Sequence, residues 1–390
     1  MSTNMPIALP QGFSAHVTNL GIKDSSDDLV IISAASPIAA SGVFTKSRFA
    51  GPSVLISRDH LTNGSAQAFV IISKNANVAN GSQGVDDAHE VVGLVARHLD
   101  CDQTDVLIAS TGVIGRPYPM ERIRGGFERI GTGAGGATLA DVARGMMTTD
   151  TVPKIAAATI AGSTALVTGA AKGVGMIEPD MATMIATVLT DADMPADRLD
   201  DIFRRVVDRT FNCVSVDSDT STSDTAVLLA SGAAGIVDEL AFEDALEQVC
   251  RSLTKQIAAD GEGAETLIEV RVDGARDHGQ AKRVAKSIVN SPLVKTAVHG
   301  ADPNWGRVAM AIGKCSDDTE IDEQRVVIRF GDRELFPRQV GERELAELSD
   351  YLKGDEVLIH VSLNIGAGES TVWGCDLTDG YVRINADYTT

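Results

Sequence analysis

Thr183 closes the run Lys172-Gly173-Val174-Gly175-Met176-Ile177-Glu178-Pro179-Asp180-Met181-Ala182-Thr183, where glycines, a proline and two acids meet an apolar stretch. Threonine is a weak nucleophile near neutral pH unless a base lies beside it. One solution makes it the first residue of a chain, so that its own α-amine is that base. Such an amine titrates at about 7.7–8.0, a range suited to general-base work. An internal Thr183 acquires it only if the Ala182–Thr183 bond is cut. The hydroxyl can attack the preceding carbonyl, and water then hydrolyses the ester; the small Ala182 leaves room for that attack. The same residues also read as a loop entering a buried helix or strand.

A second candidate is Ser110-Thr111-Gly112-Val113-Ile114-Gly115 at the end of a strand-like run. A glycine there permits close backbone approach, and converging donors make an oxyanion hole; a plain turn is the structural alternative. Asp217, Asp219 and Ser221 have calcium-loop spacing, but Thr222 replaces the required glycine and Leu228 the required glutamate. That stretch is a polar turn or an active-site wall. The run 131–136, GTGAGG, follows a charged helical pattern instead of a buried strand, so it is a loop and not a dinucleotide fingerprint. There is no Walker A motif, GxSxG, HExxH or CxxC. Neither a metal nor a cofactor is expected.

The elements that must position these residues alternate. Residues 29–35 and 69–73 are apolar, β-branched runs that predict buried strands, and 105–115 predicts a strand running into a loop. Helices are expected over 86–99, 141–147, 199–211 and 242–259. In the last of these, Phe242, Leu246, Val249, Leu253 and Ile257 share one face. Strands are expected at 266–275 and 325–331, and the closing stretch 374–390 is strand-like. Interspersed helices and strands predict an α/β or α+β protein with layered sheets. The composition shift at 273–282 is the best domain boundary. Asp302–Arg307 is read as structural, with Trp305 and Arg307 packing.

At 390 residues the chain is long enough for two domains, or one large domain with a smaller appendage. Its 34 basic and 54 acidic residues leave a net charge of −20, which argues against non-specific binding to nucleic acid or anionic membrane. No 18-residue apolar stretch and no secretory signal are visible, and the five dispersed cysteines read as reduced thiols. A cytoplasmic protein is expected.

The ordered set KGVGMIEPDMAT, TGVIG, MTTDT, DGEGA, KTAVHGADPNWGR and GYVRINADYTT resembles the ornithine acetyltransferase family over nearly the whole chain. The variants SKNANVANG, RTFNCVSVDSDTSTSDTAVL and GKCSDDTEID are most similar to versions from clavulanic-acid clusters. Arginine-pathway members mostly carry SGNAN where this chain has Lys74-Asn75-Ala76-Asn77. The resemblance implies an αββα sandwich like that of N-terminal-nucleophile hydrolases, within residues 1–280, and a smaller α/β domain over 281–390. It also implies self-cleavage between Ala182 and Thr183 into α and β chains that stay together, as a homo-oligomer of αβ pairs. Thr183 would be nucleophile and acetyl carrier, and Thr111 and Gly112 the oxyanion hole. Thr149, Lys172, Thr183, Glu262, Asn385 and Thr390 would contact substrate. The implied reaction moves acetyl from N-acetylornithine to glutamate by a ping-pong route. Lys172 is then a candidate cation for a carboxylate and Glu262 a candidate partner for an ammonium group. Two rivals remain: a related self-processing aminopeptidase or amidase, and a non-catalytic relative.

Overall fold

The computed structural model describes residues 7–130, 135–178 and 184–387. Strands β1 (Phe13–Thr18), β2 (Leu29–Phe44), β3 (Ser65–Ile72), β4 (Val106–Ser110), β5 (Lys154–Thr159), β6 (Leu166–Lys172), β7 (Ile185–Asp193) and β8 (Thr225–Ile236) form one sheet. Its order is β4-β3-β2-β8-β7-β6-β5. β1 pairs with the first half of β2, whose second half pairs with β8. β2 changes register between Ser33 and Ile38, so this one long strand serves both halves of the sheet.

Alternation of side chains along each strand sorts the core into layers. Val30 and Ile32, Phe69 and Ile71, Leu107 and Ala109 share one cluster with Ile185 and Leu189, Val227 and Leu229, and Ala170. The two halves of the sheet therefore face each other across a common core. The opposite face of β2, β3 and β4 packs on α1 (Pro52–His60), α2 (Gly81–Leu99) and α3 (Met120–Arg129). A further helix, α4 (Leu139–Met146), closes the inner cluster. The outer face of β6, β7 and β8 packs on α5 (Ala196–Arg209) and α6 (Glu239–Ala259). The result is the expected αββα layering.

The second sheet, β11-β10-β12-β9-β13, comprises β9 (Leu267–Ala275), β10 (Val327–Phe330), β11 (Arg333–Phe336), β12 (Glu356–Ser362) and β13 (Gly368–Cys375). It carries α7 (His278–Val289), α8 (Pro292–His299), α9 (Trp305–Gly313) and α10 (Glu342–Leu352). β9 precedes residue 281, and the expected junction falls inside α7. The apolar face read from the sequence for α6 is buried at every one of its five positions. α6 lies between β5 and β6 on one side and β9 and β13 on the other, joining the two sheets through one core. Trp305 stacks on Phe336 at 4.9 Å and Arg307 donates to the Leu293 carbonyl at 2.8 Å, so the Asp302–Arg307 run is structural, as read.

One expectation is corrected. The end of the chain is not strand-like beyond Cys375, because Asp379–Asp387 forms a helix, α11. Within the helix Asn385 donates to the Tyr381 carbonyl at 3.0 Å, and Arg383 pairs with Asp379 at 2.8 Å. Val382 is 63% exposed, so the apolar residues that suggested alternation have no sheet to face. Residues 388–390 lie outside the described set.

Because Leu253 is fully buried between the sheets, Leu253→Ala should lower unfolding free energy by about 2–5 kcal/mol, read from urea unfolding.

Candidate active site

Seven separate segments meet in one cavity of about 150 Å³. Its walls include Thr111 and Gly112 after β4, Thr149 after α4, Lys172 at the end of β6, Glu262 after α6 and Asn385 in α11. The folding-over of the first sheet brings the end of β4 to the end of β6: Lys172 Nζ donates to Thr111 Oγ1 at 3.2 Å. The Thr111 backbone N–H is committed to the Ile72 carbonyl at 2.9 Å. Its hydroxyl is then the group left to donate into the cavity, since a hydroxyl both accepts and donates. Gly112 has φ +133°, and a Cβ there would stand 2.2 Å from the Lys74 carbonyl carbon. Only glycine fits that approach.

On the other wall Glu262 accepts from Thr149 Oγ1 at 3.2 Å and from Asn385 Nδ2 at 3.0 Å. Its own N–H donates to the Val174 carbonyl at 2.8 Å. A Cβ on Gly175 would lie 2.5 Å from the Glu262 carboxylate, so a side chain there would displace that carboxylate from its present position. Asp217 holds the intervening loop through the N–H groups of Met176 (2.6 Å) and Ile177 (2.8 Å). Glu178 is held from α7 by Asn290 at 2.9 Å.

Behind the cavity lies a buried charge cluster. Asp150 takes Lys154 Nζ at 2.7 Å, the Gly173 N–H at 2.7 Å and the Thr148 N–H at 3.1 Å. Lys154 also bonds Asp260 at 2.5 Å, and Asp260 accepts the Thr151 N–H at 3.1 Å. Burial works to raise the Asp150 carboxyl, but Lys172 and Lys154 outweigh it and hold the group below the usual carboxylate range. Burial pushes the Lys172 ammonium below its ordinary value, against the pull of Asp150, and Lys154 adds to the lowering. Asp224, at the start of β8, is fully buried, and burial raises its carboxyl well above the usual range. Its partial offsets come from the Met184 backbone, Lys172 and Thr45.

The structure thus assembles Thr111, Gly112, Thr149, Lys172, Glu262 and Asn385. Ala182, Thr183 and Thr390 lie outside the described residues. Ser221, Thr222 and Ser223 also line the cavity, so the polar run 217–226 contributes part of its wall. Sequence reasoning missed Asp150, Lys154, Asp260 and Asp224. One signal was available: Lys154 opens the apolar run KIAAAT, and a lysine in a buried strand requires carboxylate partners. Among the described residues, Glu265, His299 and Asp376 place ligand-type atoms within 4.8 Å of one another. His299 bonds Asp376 at 3.1 Å, and the other Asp376 oxygen takes the Glu265 and Thr266 N–H groups at 2.9 and 3.0 Å. Those bonds make it a joint in the fold.

The pattern of the ArgJ family matches residues 14–390. The chain belongs to the ArgJ family. "Arginine biosynthesis bifunctional protein ArgJ 2" of a Nostoc species is 56% identical over 381 residues, 98% of each chain. "Glutamate N-acetyltransferase Oat2" of Streptomyces clavuligerus is 53% identical over 396 residues, 100% of each chain. The ArgJ protein of Rhodococcoides fascians is 50% identical over 390 residues, 99% of this chain and 96% of that one. The family resemblance carried by the motifs is therefore met along the full ArgJ length. Among the described residues, no helix is long and apolar enough to cross a membrane.

Asp150→Asn leaves two buried lysines undercompensated and should cost about 3–5 kcal/mol of stability at neutral pH. The depressed Asp150 contributes stability in full above the ordinary carboxylate pKa of about 4, and loses it as pH falls through its lower folded value. Melting temperatures across pH 2–7 should therefore fall more steeply below about pH 4 in the parent protein than in Asp150→Asn.

Proposed function

We propose that this ArgJ-family protein is a self-processing acetyltransferase that moves acetyl from N-acetylornithine to glutamate in the cytoplasm, releasing ornithine and N-acetylglutamate. The observation that carries the reading is the convergence of Thr111, Gly112, Thr149, Lys172, Glu262 and Asn385 on one cavity from five segments of chain. The names of the curated relatives agree with it.

In the processing step the Thr183 hydroxyl attacks the Ala182 carbonyl, the C–N bond breaks, and an ester forms as the amine takes up a proton. Water then splits the ester into an Ala182 carboxylate and a Thr183 that carries both a hydroxyl and a free α-amine. In turnover that amine accepts the hydroxyl proton while the oxygen attacks the acetyl carbonyl of N-acetylornithine. The Thr111 hydroxyl and the Gly112 N–H stabilise the oxyanion. The ornithine amine leaves with the proton, and the glutamate amine later takes the acetyl group by the reverse steps. Lys172 serves twice: it bonds Thr111 and so orients that hydroxyl, and it offers positive charge to a substrate carboxylate. Glu262, already accepting from Thr149 and Asn385, suits an ammonium group. The two chains remain together through the shared sheet, since β6 and β7 pair across the cut from Val167 to Ile185. A homo-oligomer of these αβ pairs completes the proposal.

Denaturing mass spectrometry should find two chains, one ending at Ala182 and one starting at Thr183, and a single intact species for Thr183→Ala. An uncut chain with full activity would overturn the nucleophile assignment. Incubation with N-acetylornithine should release ornithine, and glutamate should collect the acetyl group. Free acetate formed at the same rate without glutamate would favour an amidase. Lys172→Met should raise KM for N-acetylornithine about tenfold or more and lower kcat through a misplaced Thr111 hydroxyl.

A further inference from the structure

Two further cavities open off the site through different walls, and they carry opposite charge. One, of about 350 Å³, shares Gly112, Thr148 and Thr149 with the central cavity, and its charged residues are Lys23, Lys74, Arg144 and Asp24. The other, of about 140 Å³, shares Glu262, and its charged residues are that glutamate, Asp217, Asp376 and Lys295. Three cations face one carboxylate in the first, and three carboxylates face one cation in the second.

The proposed reaction presents the same asymmetry, and the inference rests on that reading. Donor and acceptor both bring an α-nitrogen to the same nucleophile, but their side chains end differently, in an ammonium for ornithine and a carboxylate for glutamate. A carboxylate seated against Glu262 would meet a like charge, and an ammonium seated among Lys23, Lys74 and Arg144 would do the same. We propose that the two substrates share the central cavity and send their side chains to different subsites. The donor's ammonium turns to the Glu262 wall, and the acceptor's side-chain carboxylate enters the cationic cavity beside Gly112.

The construction of the cationic cavity fits a binding role. Lys74 has φ +73°, a left-handed conformation that a residue with a Cβ adopts only when its surroundings hold it there. Its side chain is 7% exposed, and Nζ bonds Asp24 Oδ1 at 3.0 Å and the Ser26 carbonyl at 2.8 Å. The lysine thereby ties the 24–26 turn to the wall and pairs with Asp24, and Lys23 and Arg144 line the same cavity. Arg144 is paired with Asp141 across a surface where its side chain is 54% exposed, an arrangement that a substrate carboxylate can exchange into.

The test uses the full processed protein with glutamate, and with glutamine as the neutral isostere. Replacing both Lys23 and Arg144 by Met should raise KM for glutamate about tenfold or more and reduce the preference for glutamate over glutamine by a similar factor. Single-turnover release of ornithine from N-acetylornithine should keep its rate. Lys74→Gly takes from Asp24 its paired cation, at a backbone conformation that glycine adopts without strain, and should act in the same direction. Normal ornithine release with an unchanged glutamate KM and preference overturns this inference alone. Equal loss of both half-reactions also overturns it, because the cavity would then not discriminate the two substrates. A parent protein that releases no ornithine at all overturns the acetyltransferase reading, and this inference with it.

Discussion

The buried bridge from Asp150 through Lys154 to Asp260 is the constraint on which the site depends. Lys154 has no exposed side-chain surface, nor has Asp150, so neither can fall back on water when a partner is lost. The bridge links the loop after α4, the start of β5 and the end of α6. Three of the groups lining the cavity stand one or two residues from one of the bridge's members or bonds. Thr149 adjoins Asp150; Lys172 precedes Gly173, whose N–H Asp150 accepts; Glu262 follows Asp260 by two positions. Fixing three charges in the interior thus sets three polar side chains in the cavity wall.

A second constraint is steric and works at the opposite wall. The backbone at Gly112 presses against the Lys74 backbone more closely than any side chain permits, and Gly175 leaves room for the Glu262 carboxylate. Close approach keeps Thr111, Gly112 and the Glu262 carboxylate within one small cavity. The charge-shifted groups gather here for the same reason. Lys172, Asp150 and Asp224 are all deprived of water, and the balance among them decides which stays ionised.

Much of the scaffold was legible from periodicity. The apolar face of α6 and the β-branched runs that became β2 and β3 are strong signals, because burial on one or both faces leaves a repeat in the sequence. The closing helix α11 was misread. It buries no residue, so Tyr381, Val382 and Ile384 are not patterned by a core, and their β propensity pointed the wrong way. The beginning of the second sheet was also hidden. β9 is an interior strand, between β12 and β13, but follows α6 directly, and no shift in composition separates the two.

The sequence by itself determined the family, the residue types of the cavity and their order along the chain, since motifs such as TGVIG and DGEGA are local strings that need no partner to be recognised. It did not show which charges are buried together. Asp150 and Asp260 are separated by 110 positions, and Lys172 and Thr111 by 61. Only the folding of one sheet over a shared core brings such pairs within bonding distance. That same folding made Asp150 an anchor of the site and gave the cavity one cationic and one acidic neighbour.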